Sequence, residues 1–284
     1  MKNKMKFGFV AVFATLLVYV GCKKDKEEED RDGTTAVEYA MADAAFGDVA
    51  SIADEGYDGS LESYRMMNGG GAEKVMTSCA TITFDSLSLP KSFTIDFGTT
   101  DCLCNDGNYR RGKIIVSWVN HYRDSGSSHT ISFDNYFVNY NQLLGSKTVT
   151  NNGRNTAGNL SFTVAINGSI IWDPQYFGGG GTSTYNSTRT RVWSAGEATP
   201  SWLDDVYHIS GTASGTTRTG SSYTMSTTTP LKKEIGFKHL TDGILVFTPS
   251  GKYARTIDYG YVNGLRDALA KVTINGYTFT IQLK

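Results

Sequence analysis

Two adjacent carboxylates beside an aromatic ring are the feature of this sequence closest to catalytic chemistry. Asp204 and Asp205 follow Trp202, and a glycosidase places two carboxylates around the scissile bond. Adjacent residues of a strand point to opposite faces, so these two side chains cannot flank one bond. A glycan-acting hydrolase is therefore the least favoured function.

Histidine and glycine patterns add no catalytic group. His208 lies between Tyr207 and Ile209 and is expected to point to solvent if its neighbours face a core. The glycine run 178–181 lacks the Lys-Ser/Thr ending of a phosphate-binding loop. Four Cys and four His are not clustered as transition-metal ligands would be. We predict a protein that is not an enzyme and has no cofactor and no metal site.

Positive charge is too sparse for binding nucleic acid. The formal net charge is -1, whereas such binding needs a basic surface. Arg110, Arg111 and Lys113 form one small basic spot where a strand is expected to begin. This spot is suited to an anionic ligand, but a solvated strand end is the preferred interpretation. We expect no nucleic-acid partner.

The N-terminus carries an export signal. Lys2, Lys4 and Lys6 precede an uncharged run, residues 7–21, which is too short for an ordinary membrane-spanning helix. The run ends Tyr19-Val20-Gly21-Cys22, which resembles a bacterial lipobox with Tyr19 in place of the usual Leu. The sequence predicts a lipoprotein signal peptide over 1–21, lipidation of Cys22 and a membrane contact through the attached lipid.

A charged tether is expected to follow the lipid anchor. Every residue from Lys23 to Asp32 is charged, so this segment cannot bury itself, and we assign 22–33 to a solvated tether. The basic-then-acidic order is similar to the export signals of some Gram-negative lipoproteins. It favours an outer-membrane lipoprotein exposed at the cell surface over one that faces the periplasm.

One helix is predicted after the tether. From Thr34 to Gly56 the apolar residues recur three and four apart, forming a stripe of Tyr39, Ala42, Phe46, Val49 and Ala53. Glu38, Asp43 and Asp48 lie largely off this stripe. We expect the stripe to pack on a sheet and the helix to end at Gly56. A Gly-rich joint follows and completes the segment 34–71.

The rest of the chain, 72–284, is predicted to be one antiparallel β domain. Alternation of apolar residues marks several strands, including those with Phe93, Ile95 and Phe97; Ile114, Val116 and Trp118; Leu160, Phe162, Val164 and Ile166; and Tyr277, Phe279, Ile281 and Leu283. Asn167-Gly168 and Asn275-Gly276 are predicted hairpin turns. Further breaks are expected at 151–153, 241–243 and 250–251. The pattern indicates a meander of roughly a dozen or more strands.

Ser and Thr occupy both alternating faces of the segments Thr182–Arg191 and Gly211–Thr229. Because neither face would then be deeply buried, we place these segments at the ends or outer strands of the sheet. The predicted fold class is all-β: a large, curved, open antiparallel sheet with one amphipathic helix packed on it. A β-sandwich or an open barrel is the alternative.

Several stretches resemble a group of lipid-anchored envelope lipoproteins of Gram-negative bacteria for which no activity is established. The resemblance spans nearly all of the chain after the anchor, and it rests on Cys79, Thr94–Cys102, Arg110–Ile115, Phe133–Tyr136, Arg255–Gly260 and Thr273–Gly276. It implies an all-β fold and no particular reaction.

Three cysteines remain once Cys22 is acylated, and export favours one disulfide among them. Direct pairing of Cys102 with Cys104 would be strained because they are only two residues apart. Cys79 and Cys102 can meet if the strands of Ile82 and Ile95 form a hairpin. The resemblance also places cysteines at 79 and 102, and we predict this disulfide.

Two further functions compete with hydrolysis. The favoured one is a non-enzymatic envelope protein that binds or scaffolds an unknown envelope protein or glycan at the cell surface, and exposed aromatic side chains would support it. The other is a periplasmic carrier of an apolar ligand, which needs an apolar cavity along one face of the sheet.

Overall fold

The computed structural model describes residues 34–66, 79–85, 87–121, 123–176, 179–199, 204–235, 237, 239–261 and 266–283. Helix side chains are described at 35–50, 52 and 53. The signal peptide, Cys22 and the tether predicted above lie outside these residues. Among the described residues, no helix has the length and hydrophobicity needed to cross a membrane.

One helix and fourteen strands make up the described chain. The elements are α1 Thr34–Met66, β1 Thr81–Asp85, β2 Lys91–Asp96, β3 Cys102–Leu103, β4 Tyr109–Trp118, β5 Ser128–Val138, β6 Asn141–Arg154, β7 Leu160–Trp172, β8 Gly181–Ala195, β9 Val206–Thr216, β10 Ser222–Glu234, β11 Asp242–Pro249, β12 Arg255–Asp258, β13 Leu269–Ile274 and β14 Tyr277–Gln282.

All fourteen strands belong to one antiparallel sheet in which almost every strand pairs with the next in sequence. The short β3 pairs with β4 beside this path, while β1 and β14 form the two edges. In the described residues the strands form a single open sheet that is not closed into a barrel, so the predicted all-β meander with one helix is confirmed.

Helix α1 runs across the strands. Tyr39 contacts Phe247 on β11, Phe46 stacks on Tyr185 of β8, and Asp48 pairs with Arg110 on β4. Residues 39–48 of a helix span about 14 Å, whereas seven strand spacings, from β4 to β11, span about 33 Å. The sheet therefore has to curve around the helix for these contacts to form. We call the face covered by α1 the inner face and the opposite one the outer face.

The predicted helix stripe is confirmed, because all five of its members are buried: Tyr39, Ala42, Phe46, Val49 and Ala53. The acidic residues off this stripe also contact the sheet. Glu38 is buried against Arg218, and Asp43 pairs with Arg189 at 2.7 Å. Because the sheet curves around the helix, its strands contact helix positions that would face solvent if the sheet were flat.

The hairpin predicted at Asn167-Gly168 does not exist, because β7 runs straight through both residues. A Cβ atom on Gly168 would lie 2.2 Å from Cζ of Phe46. The glycine therefore makes room for the helix instead of making a turn. The other Asn-Gly turn is confirmed: Asn275 and Gly276 have φ values of 47° and 83° and join β13 to β14.

Two other boundaries differ from the prediction. Strand β6 continues through 151–153 by a β-bulge, and the turn follows at 155–158. The helix passes Gly56 and ends at Met66, because one glycine costs a helix only about 1 kcal/mol. The alternating set on β14 lies largely open to solvent, since Tyr277 and Phe279 are on an edge strand. The breaks at 241–243 and 250–251 lie where β11 begins and just after it ends, as expected.

The Ser/Thr-rich segments lie at the centre of the sheet, so their predicted place at its margin was wrong. Strand β8 contains Thr182–Arg191 and has seven strands before it and six after it in the chain. Its inner face buries Ser183, Tyr185 and Ser187. Small side chains there leave space for α1, and those of the outer face remain in solvent.

The sulfur atoms of Cys79 and Cys102 are at disulfide distance, 1.86 Å apart, as predicted. The bond ties the residues before β1 to β3 and β4, because Cys102 lies opposite Arg110. Cys104 is a free cysteine and is 3% exposed.

Gly168→Ala should destabilise the fold by about 1–3 kcal/mol, because the added methyl group overlaps the buried Phe46 ring. The double variant with Phe46→Leu should lose less than the sum of the two single changes. Gly47→Ala is the control: its Cβ meets nothing within 4 Å, and it should stabilise the helix by about 1 kcal/mol. Chemical denaturation measures the free energy of unfolding of the two single variants, the double variant and the control. An unchanged free energy in Gly168→Ala would contradict the contact between Gly168 and Phe46.

Replacing both Cys79 and Cys102 with Ser should cost about 3 kcal/mol of stability, because the bond closes a loop with a sequence separation of 23. Peptide mapping of the unreduced protein should find these two residues joined. Cys104 should react with an alkylating agent only after denaturation, since it is buried. A peptide joining Cys79 to Cys104, or three reactive thiols, would overturn the assignment.

Candidate functional site

Two rows of side chains cross the outer face in register from β6 to β11. The first row is uncharged and polar throughout: Ser146, Asn167, Asn186, Ser214, Thr224 and Thr248. The second row is mostly Ser and Thr: Thr148, Ala165, Thr188, Thr212, Ser226 and Val246. Both rows line an open groove of about 680 Å³, which we call the polar groove. It lies opposite α1, because the intervening residues Lys147, Ser187, Ala213, Met225 and Phe247 are buried on the inner face.

The polar groove offers hydrogen-bonding groups without charge. None of the described residues that line it is acidic or basic. Asn167 and Asn186 are exposed, and in the part of the chain that the structure describes their side-chain amides have no hydrogen bond to protein. Each amide presents two donors and an acceptor, and each Ser or Thr presents a hydroxyl group. The groove can therefore bind a polar, uncharged ligand.

Three tyrosines stack at one end of the outer face. The ring of Tyr140 lies 4.7 Å from that of Tyr176 and 5.8 Å from that of Tyr109, with interplanar angles of 11° and 28°. Tyr109 points to the outer face because the next residue, Arg110, is buried on the inner one. Tyr176 is 54% exposed. We call these three residues the tyrosine stack.

Tyr140 lies in a strained turn. Asn139 and Tyr140 form the two-residue hairpin between β5 and β6, with φ values of 46° and 69°. The second position of such a turn strongly favours glycine, because a side chain at positive φ crowds the backbone. Tyr140 therefore adopts a conformation that glycine would take at lower cost. Sequence reasoning had no signal for this turn, since Asn-Tyr is not a hairpin dipeptide.

A chain of polar contacts fixes this turn to the helix. Arg110 donates to Asp48 on α1 at 2.6 Å and to Asp106 at 2.7 Å. Asp106 accepts a hydrogen bond from the amide of Asn108, whose oxygen accepts one from Asn139 at 2.8 Å. The backbones of Tyr109 and Asn139 are also hydrogen-bonded to each other. The helix thus positions the turn through Arg110 on β4 and through Asp106 and Asn108, which precede β4.

The two carboxylates on Arg110 have different environments. Burial raises the pKa of Asp48, which lies on α1. Burial would also raise the pKa of Asp106, but hydrogen bonds from Arg110 and Asn108 outweigh it and lower that pKa to about 2. Asp106 therefore remains ionised wherever the protein is folded at ordinary pH.

The tyrosine stack and the polar groove share the outer face. Tyr140 precedes β6, and Ser146 enters the groove six residues later, about 20 Å along the strand. Between them lie Leu144 and Ile171, which are 36% and 41% exposed. Together they form one continuous surface with aromatic, apolar and polar parts.

The carboxylates singled out in the sequence are structural. Asp205 is buried and accepts hydrogen bonds from Trp193 and Tyr207, whereas Asp204 accepts one from Thr199. Burial raises the pKa of Asp205. Trp193 and Trp172 are both buried, so neither is available to stack on a sugar. Trp202 lies outside the described residues.

The basic spot is neutralised by acidic neighbours. Arg110 is 1% exposed, which contradicts its expected place at a solvated strand end. Arg111 pairs with Asp101 at 2.6 Å and lies over Phe137, and Lys113 pairs with Asp96 at 3.2 Å.

His208 hydrogen-bonds Ser194 at 2.9 Å. Within the described chain, no three His, Cys, Asp or Glu side chains come together as metal ligands. Helix α1 packs into the main apolar cluster of the inner face, and Phe162, Val164 and Trp193 belong to a second cluster that contains no helix residue.

Comparison with models of protein families, with curated proteins and with solved structures finds no match to this chain. The resemblance to envelope lipoproteins therefore stays a prediction.

Asp106→Asn should remove a pH-dependent part of the stability. Because folding lowers the pKa of Asp106 from 3.8 to about 2, its contribution is full above about pH 5 and is lost as the pH falls through 2. After allowance for solvent screening we expect a loss on the order of 1 kcal/mol at pH 6 that shrinks as the pH falls through 2. Denaturation across this pH range measures the difference between variant and wild type.

Asp101→Asn, which removes the partner of the more exposed Arg111, is the control and should change stability by less than about 0.5 kcal/mol. A pH-independent difference between Asp106→Asn and wild type would show that the ion pair does not stabilise the fold.

Proposed function

We propose that this chain is a lipid-anchored lipoprotein of the Gram-negative outer membrane that acts at the cell surface as a non-enzymatic binding or scaffolding module. The N-terminal part of the proposal rests on the basic residues, the apolar run and Cys22. The charged tether would hold the sheet away from the membrane surface.

One observation carries the binding role. The outer face exposes the tyrosine stack and the polar groove along the same strand, β6. Exposed aromatic rings bind ligands well because they bury a large area at a small cost in side-chain entropy. The helix packs on the inner face, whereas the polar groove lies open on the outer face.

Cys22→Ser tests the anchor. The wild-type chain should be processed at Cys22 and recovered with the outer membrane, whereas the variant should accumulate as an uncleaved or mislocalised precursor because it has no acylation site. Cys104→Ser is the matched control and should be processed normally. Incorporation of radiolabelled fatty acid measures acylation of the chain, and membrane fractionation measures its recovery with the outer membrane. Normal processing of Cys22→Ser would contradict the lipid anchor.

Surface display is tested separately by adding protease to intact cells. The tether should be cleaved while a periplasmic marker protein stays whole. Protection of the chain, with cleavage only after the outer membrane is opened, would contradict the surface location and favour a periplasmic one.

A further inference from the structure

We propose that the outer face binds an extended, uncharged glycan whose rings contact the tyrosine stack and whose chain continues into the polar groove. This inference rests on the proposed role as a binding module and names its ligand class. The surface extends about 20 Å along β6 from Tyr140 to Ser146, which is long enough for several sugar rings in a row.

The chemistry of the polar groove selects an uncharged ligand rich in hydroxyl groups. An anionic polymer requires cations to neutralise it, and the described lining has none. An apolar ligand would remove the Asn167 and Asn186 amides from water without giving them new hydrogen bonds. Sugar hydroxyl groups donate and accept hydrogen bonds, and the Ser, Thr and Asn side chains do the same.

An extended peptide fits this surface less well. Peptides that add to a sheet bind the free backbone groups of an edge strand. Strands β6 to β11 are all interior, and each pairs with a neighbour on both sides. The outer face therefore offers a ligand its side chains only, spaced as two regular rows.

The tyrosine stack supplies the apolar contact that a sugar ring needs. The rings of Tyr109 and Tyr176 are partly exposed, and Leu144 and Ile171 extend the apolar surface toward the groove. The positive φ of Tyr140 is an independent indication. Backbone strain of this kind persists where a function requires it, and here it places a ring between the two other tyrosines.

Tyr140→Gly separates binding from folding. Glycine adopts the observed φ without strain, so the variant should melt at the same temperature as wild type or higher. It should nevertheless bind the glycan about tenfold more weakly, because the central ring is gone. Tyr140→Phe keeps the ring and should bind within about threefold of wild type.

Asn186→Leu tests the groove by removing an exposed amide at constant size, and it should also weaken binding about tenfold. Tyr277→Ala is the control: this tyrosine is 57% exposed on the edge strand β14, away from the outer-face site. The affinity of this variant for the glycan should stay within about twofold of wild type.

The full-length lipoprotein in detergent micelles is titrated calorimetrically with neutral hexasaccharides of β-1,4-linked glucose, N-acetylglucosamine or mannose and of α-1,4-linked glucose. A hexamer of galacturonic acid is the anionic comparison. We expect at least one neutral hexamer to bind, with the pattern of variants given above. Binding of the anionic hexamer alone, no binding of any hexamer, or equal affinity in Tyr140→Gly and wild type would overturn the inference.

Failure of the glycan inference is distinguishable from failure of the proposed function. Surface cleavage of the tether together with no glycan binding would leave a surface module whose ligand is of another class, such as a protein. Normal processing of Cys22→Ser would contradict the anchor whatever the calorimetry shows.

Discussion

The packing of helix α1 on the curved sheet is the contact on which the rest of this structure depends. Phe46 is fully buried against Gly168, Phe133 and Tyr185, so strands β5, β7 and β8 all pack on a single ring. In the part of the chain that the structure describes, the meander of fourteen strands has two edges and no second sheet covers it. The helix supplies a second layer and buries the main apolar cluster of the inner face.

Polar contacts also fix the position of the helix on the sheet. Asp43 and Asp48 pair with arginines of β8 and β4, and Lys147 of β6 donates to the backbone oxygen of Phe46 at 3.0 Å. Such partly buried pairs need specific geometry to offset the loss of hydration. These pairs therefore determine where along the sheet the helix lies. Apolar contacts alone would allow the helix to shift along the sheet.

The outer face follows from the same arrangement. With one helix covering one side, the other side stays in water, and strands in this position carry Ser, Thr and Asn on their solvent side. The contacts from Asp48 through Arg110 and Asp106 end at the turn of Tyr140, so the helix on one face positions the tyrosine stack on the other. The proposed ligand surface and the core are parts of one network.

The sequence by itself determined the local periodicities: the apolar stripe around Phe46, the alternation of strands such as β4, and the Asn275-Gly276 turn. These depend on residues close in the chain. The tertiary structure alone decided that Gly168 faces the helix, that β8 is central, and that Tyr140 joins two other tyrosines. Each of these depends on partners many residues away, whose distance in space no local pattern encodes.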